Sequence, residues 1–526
     1  MLSSSNASNG NHSNINGPGS LMGPAGRDLV VIQNQVGSNS ELYIAAPIVN
    51  NTSATGLTAD GGSTGRTLFL SGSNTYTGTT RILSGAIQIG IGGTTGSISP
   101  DSDIVNNGTL AFNRSDDITF SNNISGAGSL TKSGAGNVLL PNGNTYSGGT
   151  TVSGGTLQIG TNDAVGTGLL TLAGGAIEPY GDSRSLTCTV SLTGAATSSI
   201  VGSQDLTFSS FRQNYVGTST LANNLAAGKT LTINGTVTIT QQNSPSTLGI
   251  SGTGYTVING ALTNPQNAGS LIKSGAGTLV LAGANTFTGA TSITAGKLKI
   301  DTTGTINTTS SLTINGPTAE FMYNNSTTAF SKAITFTQGT LSGTGKIATA
   351  VSVGSNATLS PGGSPGTLTV NNANETWAGG GTYFWQLLDA TGTLPGTDWD
   401  LAAVTGTGKL AVTATSGSPF NVVLQTLSSI GPPEVQGTPV NWNAGVQQSW
   451  KIASSANAIT GWDVDDGLAS ALFAIDATNF VGAHPTATFS VSKTGNDVYL
   501  NYVPEPATLA LLGLGGLGLI LSRKRK

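Results

Sequence analysis

Charge is scarce in this chain. Only 8% of its 526 residues are Asp, Glu, Lys or Arg, while 37% are hydrophobic. That balance is too apolar for a disordered glycine- and serine-rich polymer and too poorly charged for an ordinary cytosolic enzyme. Cys188 is the only cysteine, which excludes an intrachain disulfide and any cysteine-based metal cluster. There are two histidines, His12 in a polar leader and His484 before Pro485, and neither sits in text resembling a nucleophile elbow. The net charge is −4 although the last four residues, Arg523, Lys524, Arg525 and Lys526, are all basic. The rest of the chain is therefore more acidic still, which argues against nucleic acid as a partner, because that needs a basic face. Glu and Lys are few, and a 3.6-residue hydrophobic period is nearly absent.

Glycine is abundant, at 76 residues. One unit recurs at Asn74–Ile89, Asn144–Ile159 and Asn285–Ile300. Each copy opens with Asn-Thr and an aromatic residue (Tyr76, Tyr146, Phe287). Each then places Gly78, Gly148 or Gly289, an apolar Ile82, Val152 or Ile293, and a turn glycine at 85, 155 or 296. Within a copy the apolar residues alternate, as in Thr156-Leu-Gln-Ile159, the period-2 mark of a half-buried strand. Strands this short cannot build a core alone, but repeated units can stack so that each inward Ile or Leu lies over its counterpart. The expected fold is all-β: a parallel β-solenoid (β-helix), with an array of β-sandwiches as the competing reading. The interval from the second copy to the third is about twice that from the first to the second, which predicts a degraded copy between them. Leu231–Gly235 and Leu312–Gly316 share a smaller Leu-Thr-Ile-Asn-Gly motif, which also favours many related turns.

Gly128-Ser-Leu-Thr-Lys-Ser-Gly-Ala-Gly136 running into Asn144–Gly160 resembles the autotransporter-associated β-strand repeat. So does Gly269-Ser-Leu-Ile-Lys-Ser-Gly-Ala-Gly277 running into Asn285–Ile300, with Leu68–Gly90 a looser match. The resemblance implies a passenger-like solenoid displayed outside a bacterial cell, and it implies no catalytic residues or cofactors.

The expected organisation has five parts. Residues 1–28 read as a disordered polar leader and 29–64 as a strand-forming lead-in. No basic n-region or apolar core marks an export signal in Met1–Gly26, so the expectation is a chain that begins downstream of its true start, with export by another route as the alternative. Residues 65–375 read as the solenoid. All six tryptophans fall between Trp377 and Trp462, so 376–502 reads as a separate β-rich domain that caps the open edge of the stack. In residues 503–526, Val503-Pro504-Glu505-Pro506 precedes the apolar run Ala507–Leu521 and the basic end. These three parts in this order resemble the PEP-CTERM sorting signal, with a short C-terminal hydrophobic helix. The resemblance implies recognition and cutting near Pro504 by an exosortase-type membrane peptidase after transient membrane insertion. A single-pass tail anchor is the alternative. The short apolar end is also unlike the long outer-membrane barrel that closes a type V autotransporter.

Candidate chemistry is sparse. Asp101 with Asp103, and Asp116 with Asp117, are the carboxylate pairs that could serve glycan acid/base work, which needs two carboxyls within about 5–10 Å. They sit in turn-like text, where Asp commonly caps its own backbone. Asp463, Asp465 and Asp466 form the densest acidic cluster, a weak calcium candidate set against a solvated turn. Three functions follow for a protein at the cell envelope, the cell surface or outside the cell. The first is an exported structural or interaction protein without catalysis, engaging extracellular polysaccharide or copies of itself. The second is a polysaccharide-degrading β-helix enzyme, and the third is a carbohydrate-binding module stacking sugars on tryptophan.

Overall fold

The computed structural model describes residues 2–4, 13–33, 41–62, 66–239, 244–430, 434–462, 471–484 and 486–504. These form an all-β parallel solenoid of about 15 turns, with no α-helix among the described residues. The chain divides into two compact units. The first is Met1–Thr291 with Gly296–Leu298 and Thr308–Ser310; the second is Ser292–Ala295, Lys299–Asn307 and Ser311–Lys526.

In the first unit, alternation becomes columns. The strand Thr156–Ile159 pairs in parallel with Val138–Leu140 on one side and Ala176–Pro179 on the other. Leu157 thus lies between Val138 and Ile177, and all three are buried. A second column runs Leu130, Thr150, Leu170, Val190, Phe211, Val237, Leu262 through successive rungs. Each buried Leu or Ile contributes about 1.5–3 kcal/mol relative to exposure, and the in-register ladder places it against apolar neighbours above and below. Parallel rungs continue between Gly160 and Gly269, where the repeat motif is lost to the eye.

The motif's asparagine closes each corner. Asn74, Asn144 and Asn285 are buried, and each Oδ1 accepts a hydrogen bond at 2.8 Å from the backbone N–H of Ile48, Ile124 or Leu262 on the preceding rung. In the first two copies Nδ2 donates onward, to the carbonyls of Ser97 (2.6 Å) and Ala164 (2.7 Å). One side chain thus ties three successive rungs where main-chain pairing lapses. The aromatic residue two places later is also buried. The Tyr76 and Tyr146 hydroxyls bond Thr80 and Thr150, whereas in the Phe287 copy Thr291 pairs with Thr309 instead.

The turn glycines are constrained twice. Gly85, Gly155 and Gly296 all have positive φ, of 68°, 53° and 64°. A Cβ on Gly155 would also lie 2.5 Å from the carbonyl oxygen of Gly136. Only glycine fits such a close approach of two turns.

Two boundaries differ from expectation. Residues 13–28 are not a free leader: Ser13–Ile15 pairs with Leu42–Ile44, and Ser13 N donates to Glu41 O at 2.9 Å. Backbone hydrogen bonds dock this polar segment, a route that needs no apolar side chain and leaves no period-2 signal. The lead-in is already solenoid, because Leu29–Gln33 pairs with Leu57–Asp60, which pairs with Thr80–Ser84.

The second unit carries the other correction. The parallel ladder crosses residue 376 without a break. Ala357–Pro361 pairs with Thr382–Leu387, then Phe420–Ser429, then Phe473–Asn479. Val351–Val353, Glu375–Trp377 and Leu410–Val412 form a second face. Thr367–Asn371, Leu401–Thr405 and Gln448–Ser455 form a third. The tryptophans therefore fill turns of the same ladder. Trp377, Trp385 and Trp450 are wholly buried, and Trp377 stacks on Phe420 at 4.9 Å. Composition shifts here because of what fills the turns, and the architecture continues. The third face ends differently: Asp497–Val503 pairs antiparallel with Gln448–Ser455 and with Thr488–Thr494.

Gly155→Ala should destabilise the protein by roughly 2–4 kcal/mol. Gly143→Ala, whose Cβ would meet nothing nearer than 3.7 Å, should cost less than about 0.5 kcal/mol. Urea denaturation of the two variants side by side checks this; equal midpoints would overturn the account of the corner.

Candidate functional site

The candidate carboxylates are occupied by structure. Arg114 Nε and Nη2 donate to Asp116 at 2.8 and 2.6 Å, and the same guanidinium donates to the carbonyls of Thr94 and Gly96. The Arg114 hydrogen bonds hold the Asp116 carboxyl below its ordinary range, which suits a fixed anion and not a general acid. Asp117 accepts from Asn137 N at 2.8 Å on the next rung, and Asp103 from Asn123 Nδ2 at 3.2 Å. Asp101 and Asp103 are exposed at a corner, on either side of the buried Ser102.

The tryptophans do not form a sugar-stacking platform. Five of the six are buried, and their indole N–H groups are largely spent inside: Trp385 on Asp400 O, Trp399 on Lys451 O, Trp450 on Ala390 O. Trp442 is half-buried against Tyr502 and Phe480 at 4.9 and 5.0 Å. His484 lies in an exposed loop, where Nδ1 shares a hydrogen bond with Thr486. Asp463, Asp465 and Asp466 lie outside the described residues. Among the described residues no group of three His, Cys, Asp or Glu is placed to hold a metal ion.

Several buried charges escaped the sequence reading, among them Lys132, Lys273, Glu375 and Asp400. Lys132 sits in an inward column with Val152 and Leu172. Its Nζ donates to the carbonyls of Gly134 and Gly154, at 2.9 Å for the latter. Lys273 does the same for Ser274 and Gly275 at 2.8 Å. Burial pushes both amines down to about 8. Their place was legible: in Ser-Leu-Thr-Lys the lysine falls on the same face as the leucine. Glu375 and Asp400 lie in the second unit. Burial raises Glu375 to about 7 against the hydrogen bond it accepts from Trp377 Nε1, and it raises Asp400 well above the carboxylate range.

The remaining candidate is the exit of the C-terminal peptide. The strand Asp497–Val503 is held on both sides, with Tyr502 paired to Gln448 and to Phe489. Val503 ends the pairing opposite Thr488, and Pro504 follows with no N–H to extend the ladder. Glu505, Pro506, the apolar run and Arg523–Lys526 lie outside the described residues. No helix among the described residues is long and apolar enough to cross a membrane.

Fold and site together define a repeat-built parallel β-solenoid whose last paired residue, among the described residues, is the first residue of a C-terminal sorting motif. Residues 65–89, 130–159 and 271–300 match the Passenger-associated-transport-repeat family, and residues 503–526 match the PEP-CTERM protein-sorting motif. A stretch of 62 residues is 52% identical to the Adhesin BmaC autotransporter of Brucella suis biovar 1 (strain 1330), covering 12% of this chain and 2% of that protein. The chain therefore carries passenger-type repeats and a sorting motif, and it spans a small fraction of that relative's length.

Glu375 makes stability pH-dependent. From about 4.5 to 7 the folded chain keeps a proton that the unfolded chain has released. Its stabilisation is therefore full below pH 4.5 and is lost as pH rises through 7, by up to about 3 kcal/mol. Thermal melts of the second unit's transition should fall over this range. Glu375→Gln should flatten that fall and melt higher at pH 8; an unchanged slope in the variant would overturn the assignment.

Proposed function

We propose that this protein is an exported, surface-displayed interaction protein of the adhesin type, with no catalysis of its own. An exosortase-type membrane peptidase would deliver it by cutting near Pro504-Glu505-Pro506. One observation carries the reading: the last strand of the described residues runs to Val503, and the sorting motif starts there. A peptidase needs an extended, unpaired substrate, and Pro504 supplies the break. The apolar run Ala507–Leu521 is 15 residues, about 22 Å as a helix, against roughly 30 Å of hydrocarbon core. Gly513, Gly515, Gly516 and Gly518 weaken it further as a helix. Such a segment suits transient insertion better than durable anchorage, with Arg523–Lys526 kept on the cytoplasmic side.

The adhesin reading draws on the named function of the relative and on the chemistry of the surface. Outward positions along one face repeat as Thr131, Thr151 and Thr171, a row of half-buried hydroxyls suited to glycan or self-contact, before the row ends at the buried Ser191. Against glycan cleavage stand Asp116, locked by Arg114, and Asp117, spent on the next rung.

Mass spectrometry of the mature protein from its native host tests delivery. A C-terminus near residue 505 is expected, and intact Lys526 in the membrane fraction of a host that carries the peptidase would refute it. Incubation with a broad polysaccharide panel should release no reducing ends beyond those seen with Asp116→Ala and Asp117→Ala variants. Release that either substitution abolishes would reverse the non-catalytic reading.

A further inference from the structure

Three stretches of chain around the exit of the C-terminal peptide carry no Asp, Glu, Lys or Arg. Val435–Trp450 contains no charged residue, nor does Val498–Pro504, and Ala477–Ser492 contains only His484. These three stretches meet in space. Trp442 Nε1 donates to Gly482 O at 2.7 Å, and the Tyr502 hydroxyl donates to Ala444 O at 2.8 Å. The Tyr502 hydroxyl in turn accepts from His484 N at 3.2 Å. Near these contacts in the chain, Val440, Val446, Val481 and Val503 are exposed by 44%, 46%, 37% and 38%. Trp442 and Tyr502 lie edge to face between the stretches. One anion, Asp389, lies beside Val440 and accepts from Asn441 Nδ2 at 3.0 Å.

The length of chain beyond this surface limits what covers it. From Pro504 to Ala507, where the apolar run begins, is three residues, at most about 10 Å of extended backbone. If Ala507–Leu521 enters a bilayer, the exit surface is held within that distance of the headgroups. A charged surface so placed would pay to approach lipid, whereas exposed valines near a Trp-Tyr pair have the composition of an interfacial contact.

We propose that this end of the second unit, built from Val440, Trp442, Val446, Val481 and Val503, is a lipid-docking surface. It seats the body on the bilayer while the sorting peptide is inserted, and so presents Pro504-Glu505 at a fixed height to the peptidase. The proposal rests on the sorting reading above. The contact is apolar, so it operates on neutral lipid and is insensitive to salt. Once the peptide is cut the tether is gone, and the small patch alone releases the body.

The test uses the full chain reconstituted without peptidase into phosphatidylcholine vesicles. An environment-sensitive fluorophore is placed on Val446→Cys, Val481→Cys, Thr335→Cys or Leu511→Cys in turn. Cys188 is buried and its thiol pushed up by burial, so unsubstituted protein serves as the labelling blank. Thr335 is exposed on the strand Ile334–Gly343, which lies four rungs before Phe473–Asn479, about 19 Å along the ladder. Probes at 446 and 481 are expected to shift to the blue and to lose at least half their emission to spin-labelled lipid, equally at low and high salt. The probe at 335 should not respond.

Quenching at 511 with none at 446 and 481 would overturn the docking surface while leaving the sorting reading intact. Absence of quenching at 511 would remove the sorting reading, and the docking proposal with it. A blue shift at 446 without vesicles that grows with protein concentration would assign the patch to a second copy and overturn the lipid assignment. Val446→Asp with Val481→Asp should keep the 511 signal, abolish docking and slow processing several-fold in the host; unchanged processing would overturn the role given to docking.

Discussion

Everything in this molecule depends on the in-register parallel hydrogen-bond ladder. Because each rung lies directly over the last, a residue's surroundings are set by the residues at the same position one turn before and one turn after. Leu157 meets Val138 and Ile177 for this reason alone. The same constraint makes the corners demanding. There the chain turns away from its ladder, and backbone groups of neighbouring turns come close enough to require glycine at 155 or a buried asparagine at 144. Cohesion is thus local and repeated, each turn depending on its neighbours more than on any distant core.

Such a ladder tolerates buried charge in a particular way. Lys132 and Lys273 reach corner carbonyls that the ladder leaves short of donors, so an amine that burial penalises also satisfies oxygens that burial would otherwise strand. Glu375 is a different case, a carboxyl under Trp377 in the wider turns, where neutralisation is the cheaper answer to burial. The first is a device of the repeat and appears in two of its three copies. The second is peculiar to the aromatic turns.

The functional reading follows from where this rigidity ends. Half-buried threonines line one face, Asp103, Asp116 and Asp117 are engaged by neighbours, and the last described strand runs to the first residue of the sorting motif. Display and delivery are consequently separate properties of the chain. Display depends on the repeated rungs. The proposed delivery rests on the two dozen residues that match the sorting motif, which begins at Val503.

By itself, the sequence determined the fold class, the strand alternation, the three repeat copies and the C-terminal motif. These are written in short periods, and a period of two or a recurring Asn-Thr-Tyr needs no knowledge of distant partners. The start of the ladder was not legible, since Ser13–Ile15 docks through its backbone. Nor was its continuation past residue 376, where tryptophan imitates a new domain although the pairing is unchanged. The roles of Asp116, Asp117 and the tryptophans were likewise open in one dimension. Tertiary structure decided them, because whether a carboxylate or an indole is free depends on which groups the neighbouring turns bring beside it. That distance is set by how the chain coils, and a single strand's residues do not contain it.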